Sequence, residues 1–456
     1  MSDSSSLSPG VAELLVLKDQ LVGAIDQLIA SDLKLPSINE PTPSIAPPHP
    51  AAVMACAYAE QLQAILQGPL RSFEKSLAFH VPAGLRVAVE AHVSETLREA
   101  AEQGTPALHV DEIAKSSTLD PRKLARVLRL LAAHHIFREV EPDVFTRNRC
   151  SMSLDTGKRV KDLMSTKDFF TGSDGLAAAI AHNADDALKG AAYMAETLLD
   201  PVTSHSYSAA ECGFTRALGL GSPIWDYWAK PENGHLVRRF ASAMKGLKGM
   251  SGGFPWANLK DGATIVDVGS GVGSVSLPIA KAAPHVKLIL QDRKEVIDKE
   301  ALDLWKAEAP HDLASGRVKL MQHDFFTDQP IKGADVYTMR AIIHDWADPD
   351  ALTILRQLAT AASSASSLVL IEQTLTYLSP PNSFPPPTAM PYTIDLQMLV
   401  NCNAMERTKE QYEELGAKAG WKLTKVWPTG PGGQDGPWRH YQFELAGQDA
   451  VSTRAA

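Results

Sequence analysis

The chain has 456 residues, 45% hydrophobic and 21% charged, a composition that excludes a disordered or fibrous protein and has room for two or three domains. Its net charge of −9 excludes a general nucleic-acid binder, which needs a basic face for phosphates. Cys56, Cys150, Cys212 and Cys402 show no CxxC or metal spacing, Met1–Pro9 lacks signal-peptide character, and no apolar run approaches membrane-spanning length. The expectation is a cytoplasmic protein with reduced thiols, no metal, and no nucleic-acid or membrane partner.

After a start expected to be disordered, Leu14, Leu15, Leu21, Ile25 and Leu28 mark an amphipathic helix over Val11–Ala30. The proline- and serine-rich stretch Leu35–Pro50 reads as a linker, and a helical region follows from Ala51 to about Leu66. A helix is expected over Leu85–Ala101 and a short one from Val110. Asp120-Pro121 then gives a cap and a first-turn proline for a third. Phe137–Val140 and Val144–Thr146 read as strands around Pro142-Asp143, completing a winged-helix pattern. That pattern serves either DNA binding, through Arg122, Lys123, Arg126 and Arg129, or dimerisation; the acidic chain favours the latter. Asp155–Met250 is mostly helical and carries the aromatic cluster Ile224-Trp225-Asp226-Tyr227-Trp228. From Ala263 strands are expected at 264–268, 286–291, 317–321, 334–338 and 367–372 with helices between. A helix at 408–419 and strands near 422–427 and 438–444 follow. Such alternation gives an α/β domain with a mostly parallel sheet.

The first of these strands ends in Val266-Asp267-Val268-Gly269-Ser270-Gly271-Val272-Gly273. Glycines let the chain turn sharply and bring backbone N–H groups to a ligand. The third glycine comes one residue earlier than in the dinucleotide fingerprint G-x-G-x-x-G, a better fit to S-adenosylmethionine, which has no pyrophosphate. Asp292, at the tip of the second strand, can accept ribose hydroxyls. Asp324-Phe325, after the third, can take an adenine amino group and cover the purine face. Singly, each acid could equally be a loop residue or helix cap; together they lie on the strand edge where open α/β sheets bind ligands.

Beyond the fourth strand lies Arg340-Ala341-Ile342-Ile343-His344-Asp345-Trp346. His344 suits a general base. Glu372 ends the apolar run Leu368–Ile371, where a core strand needs no charge. Glu406 is either a third member of the set or a solvated residue ahead of the Thr408/Gln411 capping box.

From about Leu85 the chain resembles the plant caffeic-acid/flavonoid-type (class II) O-methyltransferase family, including its fungal secondary-metabolite branch. The resemblance rests on Val266–Gly273, Asp292, Asp324-Phe325, Arg340–Asp348, Glu372, Met405–Thr408 and Pro223–Met244. It implies a Rossmann-like methyltransferase domain with a seven-stranded, mostly parallel sheet and an N-terminal winged-helix dimerisation domain. It also implies a homodimer that turns S-adenosylmethionine into S-adenosylhomocysteine. His344 would deprotonate the acceptor hydroxyl, oriented by Glu372 and Glu406. Asp267, Gly269, Gly271, Gly273, Asp292, Arg293, Asp324, Phe325 and Arg340 would serve the cofactor, Arg340 standing where the family more often has lysine. Trp225, Trp228, Met244, Asp345, Trp346, Met398 and Asn401 are assigned by position to the acceptor pocket.

The expected partition is 1–50 start and linker, 51–155 dimerisation domain, 156–250 helical connector, 251–447 catalytic domain and 448–456 tail. A proline-rich insertion at Ser379–Pro391 has the place either of a lid or of a segment that shapes the pocket. Two alternatives to methylation of a phenolic or enolic small molecule are weighed: a cyclase or pericyclase of the same fold, and a winged-helix regulator. His344 with both glutamates favours methylation, because the histidine of the cyclase relatives is commonly replaced.

Overall fold

The computed structural model describes residues 8–31, 33, 35–41, 49–246, 253–378, 389–429 and 438–447. Contacts group its described residues into two units: Met1–Ser165 with Tyr377–Met390, and Thr166–Thr376 with Pro391–Ala456. The expected disordered start and tail, residues 42–48 of the Leu35–Pro50 linker and most of the Ser379–Pro391 insertion lie outside the described residues.

In the first unit, helices Pro9–Ala30 and Pro50–Gln67 pair through Leu17, Ala24 and Tyr58. The helix expected at Leu85–Ala101 is instead two, His80–Glu90 and Val93–Glu102. The break falls at His92, whose φ of 54° is left-handed; apolar periodicity alone does not reveal a one-residue reversal of this kind. Helix Val110–Ala114 follows, and helix Pro121–Ala133 starts as expected, with Asp120 Oδ1 accepting from the N–H groups of Arg122 and Lys123 at 3.0 and 3.2 Å. The hairpin strands β2 (Arg138–Glu141) and β3 (Val144–Thr146) gain a partner that the sequence reading omits: β1 (Ala107–His109) pairs with β3, giving the order β1-β3-β2. Arg129 donates to both Glu139 and Asp143, so its charge is already matched within the module.

The second unit is built on a sheet in the order β10-β11-β8-β7-β4-β5-β6. Its strands are β4 (Thr264–Val268), β5 (Lys287–Asp292), β6 (Val318–Gln322), β7 (Val336–Arg340), β8 (Ser367–Leu375), β10 (Trp421–Pro428) and β11 (Trp438–Leu445). A two-residue strand, β9 (Arg407–Thr408), pairs with the end of β8. Strands β4 to β8 run parallel, β11 runs antiparallel to β8, and β10, antiparallel to β11, runs with the rest. They carry long apolar runs because helices cover both faces. On one face Val266, Met339, Ile354, Leu355, Leu370 and Trp421 form a core; on the other Ile265, Leu288, Leu290, Trp305 and Val336 do. The chain order reverses between β4 and β7, and at such a switch point the two loops diverge to leave a crevice. Strand β8 runs three residues past Glu372, which therefore lies inside the strand and not at its end.

Candidate active site

The crevice holds a cavity of about 800 Å³, inside the range of about 300–1,000 Å³ usual for small-molecule sites. Its lining brings together most of the residues expected for cofactor and acceptor: Asp267, Gly269, Gly271, Asp292, Arg293, Asp324, Phe325 and Arg340, with Trp225, Trp228, Met244, Asp345 and Trp346. Gly273, His344, Glu372, Glu406, Met398 and Asn401 are not among the lining residues.

The glycine loop works differently from the expectation. The N–H groups of its three glycines are not held free for a ligand. Gly269 and Ser270 donate to the carbonyl of Gln291, Gly273 donates to Ser270, and Gly271 donates to Asp292 Oδ2 at 2.7 Å. The glycines serve by conformation and close approach, since all three have positive φ. A Cβ on Gly269 would lie 2.6 Å from Ile342 Cδ1, and one on Gly273 would lie 2.6 Å from both Leu290 and the Trp305 indole. At Gly271 a Cβ would project into open space, so this glycine leaves room beside the cavity. Gly273 is thus a packing residue between loop and sheet. Gly273→Ala, which combines a clash with an unfavourable φ, should cost about 1–3 kcal/mol of stability in a denaturant melt. A midpoint equal to that of wild type would refute this packing role.

Asp267 is buried and accepts from Ser276 Oγ at 2.6 Å; burial pushes its carboxyl up to about 6. Asp292 Oδ1 takes the Arg293 N–H at 2.7 Å, so this carboxylate ties the tip of β5 to the glycine loop. Arg293 is on the rim, 3.8 Å from Asp226. Asp324 accepts from the Phe326 N–H and sets Phe325 and Phe326 edge-on to Trp346, at 5.8 and 4.8 Å between ring centroids. Trp225 and Trp228 stack edge-to-face at 5.4 Å. Met398 packs with Cys212, Phe214 and Trp228 in an apolar cluster behind the Trp225–Trp228 wall of the cavity. Asn401 is buried, with its carbonyl accepting from the Cys212 thiol.

His344 lies in a 3-10 turn, Ile343–Asp345, directly after β7. Its Nδ1 is 2.7 Å from Glu406 Oε1, and its Nε2 is 3.6 Å from Asp345 Oδ1 on the cavity wall. Glu406 is 2% exposed, which removes the reading of a solvated pre-helix residue. The capping box beside it also exists, between Thr408 and Gln411. Glu372 has a different task from the one expected: its Oε1 accepts from the N–H groups of Ile342 and Ile343 at 3.1 and 2.8 Å, so it grips the backbone of the histidine turn. Donor atoms of the three residues lie within 4.8 Å of one another. The 2.7 Å contact is a hydrogen bond, shorter than the roughly 3.3 Å between two ligands around one tetrahedral ion.

Burial pushes the imidazole down, but Glu406, Asp345 and Glu372 outweigh it, and His344 stands near 10. Burial pushes Glu372 up to about 7 and Asp345 up to about 6. Titratable groups perturbed together in this way mark a candidate functional site.

Arg407 and Ala341 shape the histidine turn without standing out in the sequence. Arg407, 1% exposed, donates to Asp348 and to the carbonyls of Ile343 and Trp346, stapling the histidine turn to β9. Its presence in Met405-Glu406-Arg407-Thr408 was the available signal. Ala341 takes φ 52°, a strained conformation for a residue with a Cβ, at the bend between β7 and the turn; no sequence signal marks it.

A doubly wound sheet with a glycine loop after β4, acids on the tips of β5 and β6, and a buried histidine after β7 is the arrangement of a nucleoside-cofactor enzyme. Residues 196–422 match the O-methyltransferase domain family, and residues 73–154 the O-methyltransferase dimerisation domain. An O-methyltransferase of Armillaria gallica is 36% identical over 82% of this chain and 85% of its own. The 4-O-methyltransferase 1 of Phanerochaete chrysosporium is 34% identical over 92% and 96%. The crystal structure of OxaC in complex with SAH and oxaline superposes with a TM-score of 0.72, covering 96% of this chain and all of that one at 20% identity, a likeness of fold. The chain belongs to the S-adenosylmethionine-dependent O-methyltransferase family, with an N-terminal dimerisation domain ahead of a Rossmann-like catalytic domain.

Proposed function

We propose that the acceptor is a phenolic or enolic hydroxyl of a small secondary metabolite and that His344 is its general base. The observation that carries this reading is the buried His344–Glu406 pair beside the aromatic-walled cavity. A phenol of pKa about 10 is mostly protonated at neutral pH, and the unprotonated form of an imidazole raised to about 10 is basic enough to take that proton. Glu406 fixes the imidazole through Nδ1, leaving Nε2 on the side of Asp345. Glu372 holds the turn, and Arg407 locks it to β9.

The lining also suits the cofactor: Asp292 and Asp324 for ribose and adenine, Phe325 against the purine, Gly271 for clearance, and Asp267 and Arg340 at the β4 and β7 ends. When bound, S-adenosylmethionine supplies an electrophilic methyl group. What the chain contributes is orientation, a closed apolar wall from Trp225, Trp228 and Met244, and the base. The dimerisation-domain match supports a homodimer through the N-terminal domain, and the four free cysteines support a cytoplasmic setting.

Asp292→Asn tests the cofactor half. Losing a charged hydrogen-bond acceptor should weaken S-adenosylmethionine binding about 10- to 100-fold by titration calorimetry. An unchanged Kd removes Asp292 from the cofactor site.

A further inference from the structure

The exposed apolar residues of helix Pro9–Ala30 form a pattern. Val11, Leu15, Val22, Ile25 and Ile29 are each between 42% and 75% exposed, and Val16, also exposed, lies off their line. With Lys18 they fall at alternating steps of four and three residues, the a/d spacing of a coiled-coil seam. The neighbouring stripe, Leu17, Leu21 and Ala24, about a third of a turn round the helix, is already occupied by packing against Tyr58, Met54, Ala55 and Ile65 of the second helix. Helix Leu70–Leu77 repeats the situation: Leu70, Phe73 and Leu77, at i, i+3 and i+7, are all exposed, and the helix buries no residue.

We infer that this seam docks on a second copy of the chain, two hairpins closing into a four-helix bundle that extends the dimer interface beyond the dimerisation domain. The inference rests on the homodimer reading and adds to it the hairpin, which precedes the matched residues 73–154. Three observations select a second copy. The seam is continuous in sequence with the dimerisation domain, which begins inside helix Leu70–Leu77. The hairpin alone has a thin core, so its apolar surface needs a partner. Helices Pro9–Ala30 and Pro50–Gln67 carry only Glu13, Lys18, Asp19, Asp26 and Glu60 as charges, neither the basic face of a membrane-surface helix nor a pattern for a charged partner. An apolar seam facing its own two-fold copy is self-complementary. Lys18, beside Asp19 at 3.2 Å, is the single polar seam position, the type of residue that sets register.

The test uses the full-length protein, with sedimentation equilibrium for the dimer constant and hydrogen exchange of residues 9–30 at low and high protein concentration. Val22→Glu with Ile25→Glu should raise the dimer Kd on the order of 100-fold, because each copy would bury two carboxylates. It should also abolish concentration-dependent protection of the helix. Leu15→Glu with Ile29→Glu should do the same, and Gln27→Glu, on the polar face, should do neither. A dimer whose Kd and exchange are untouched by both seam pairs overturns the inference while leaving the homodimer standing. A wild-type monomer at all concentrations overturns both. Protection of a monomeric wild-type chain by phosphatidylcholine vesicles would assign the seam to lipid instead.

Discussion

His344→Ala should lower kcat for methyl transfer by about 10²–10⁴-fold, the contribution of one positioned general base, with S-adenosylmethionine affinity within a few-fold of wild type. The two parts of this expectation come from the geometry. The imidazole is bonded to Glu406 at 2.7 Å with Nε2 3.6 Å from Asp345, a residue of the cavity wall, whereas the residues assigned to the cofactor sit at the ends of β4 to β7. The loss therefore falls on the chemical step. Removing the ring leaves Glu406 Oε1 buried without its partner, a destabilisation of about 1–3 kcal/mol. His344→Gln, which can still donate to Glu406, separates the two effects: it should recover much of the melting temperature and little of the rate. Alanine and wild type of equal kcat would end the assignment of His344 as base.

Glu406→Gln should move the acidic limb of the kcat/KM profile to lower pH while lowering its plateau. In wild type, burial favours the neutral ring, but the carboxylates of Glu406 and Asp345 hold the imidazolium up to a pKa of about 10. A base is active only when unprotonated, so kcat/KM should climb about tenfold per pH unit well above 6.5, the ordinary histidine value. Glutamine keeps the hydrogen bond and removes the nearest negative charge, so the ring deprotonates at lower pH but is a weaker base. The same pair has a stability signature. A folded-state pKa raised above the unfolded value stabilises fully below pH about 6.5 and is lost as pH rises toward about 10. The stability gap between Glu406→Gln and wild type should therefore be larger at pH 6 than at pH 9.5. An acidic limb in the same place for both proteins would show that Glu406 does not control the ionisation.

Most of the sheet was legible because its strands are long buried runs bounded by polar turns, and the glycine loop and strand-tip acids sit at their ends. The histidine set was legible in membership and less so in geometry. Glu406 lies ahead of a genuine capping box, and spacing could not say whether its carboxylate turns inward. Glu372 was placed at a strand end because the apolar run stops at Ile371, yet the strand continues through Gln373 and Leu375, and its carboxylate binds backbone where an imidazole was expected. The break at His92 and the bend at Ala341 each turn on one left-handed residue without glycine. The partnership of β1 with β3 is long-range and only three residues long. Met398 and Asn401 share a helix, Met390–Cys402, whose apolar residues run round it, so sequence position could not tell cavity wall from core.

The most direct measurement incubates purified protein with methyl-labelled S-adenosylmethionine and a panel of phenolic and enolic small molecules, following the acceptor by mass and S-adenosylhomocysteine release together. The prediction is an acceptor one methyl group heavier, with one S-adenosylhomocysteine released per methyl transferred and both signals collapsing in His344→Ala. A rearranged product of unchanged mass, formed without S-adenosylhomocysteine, would contradict it.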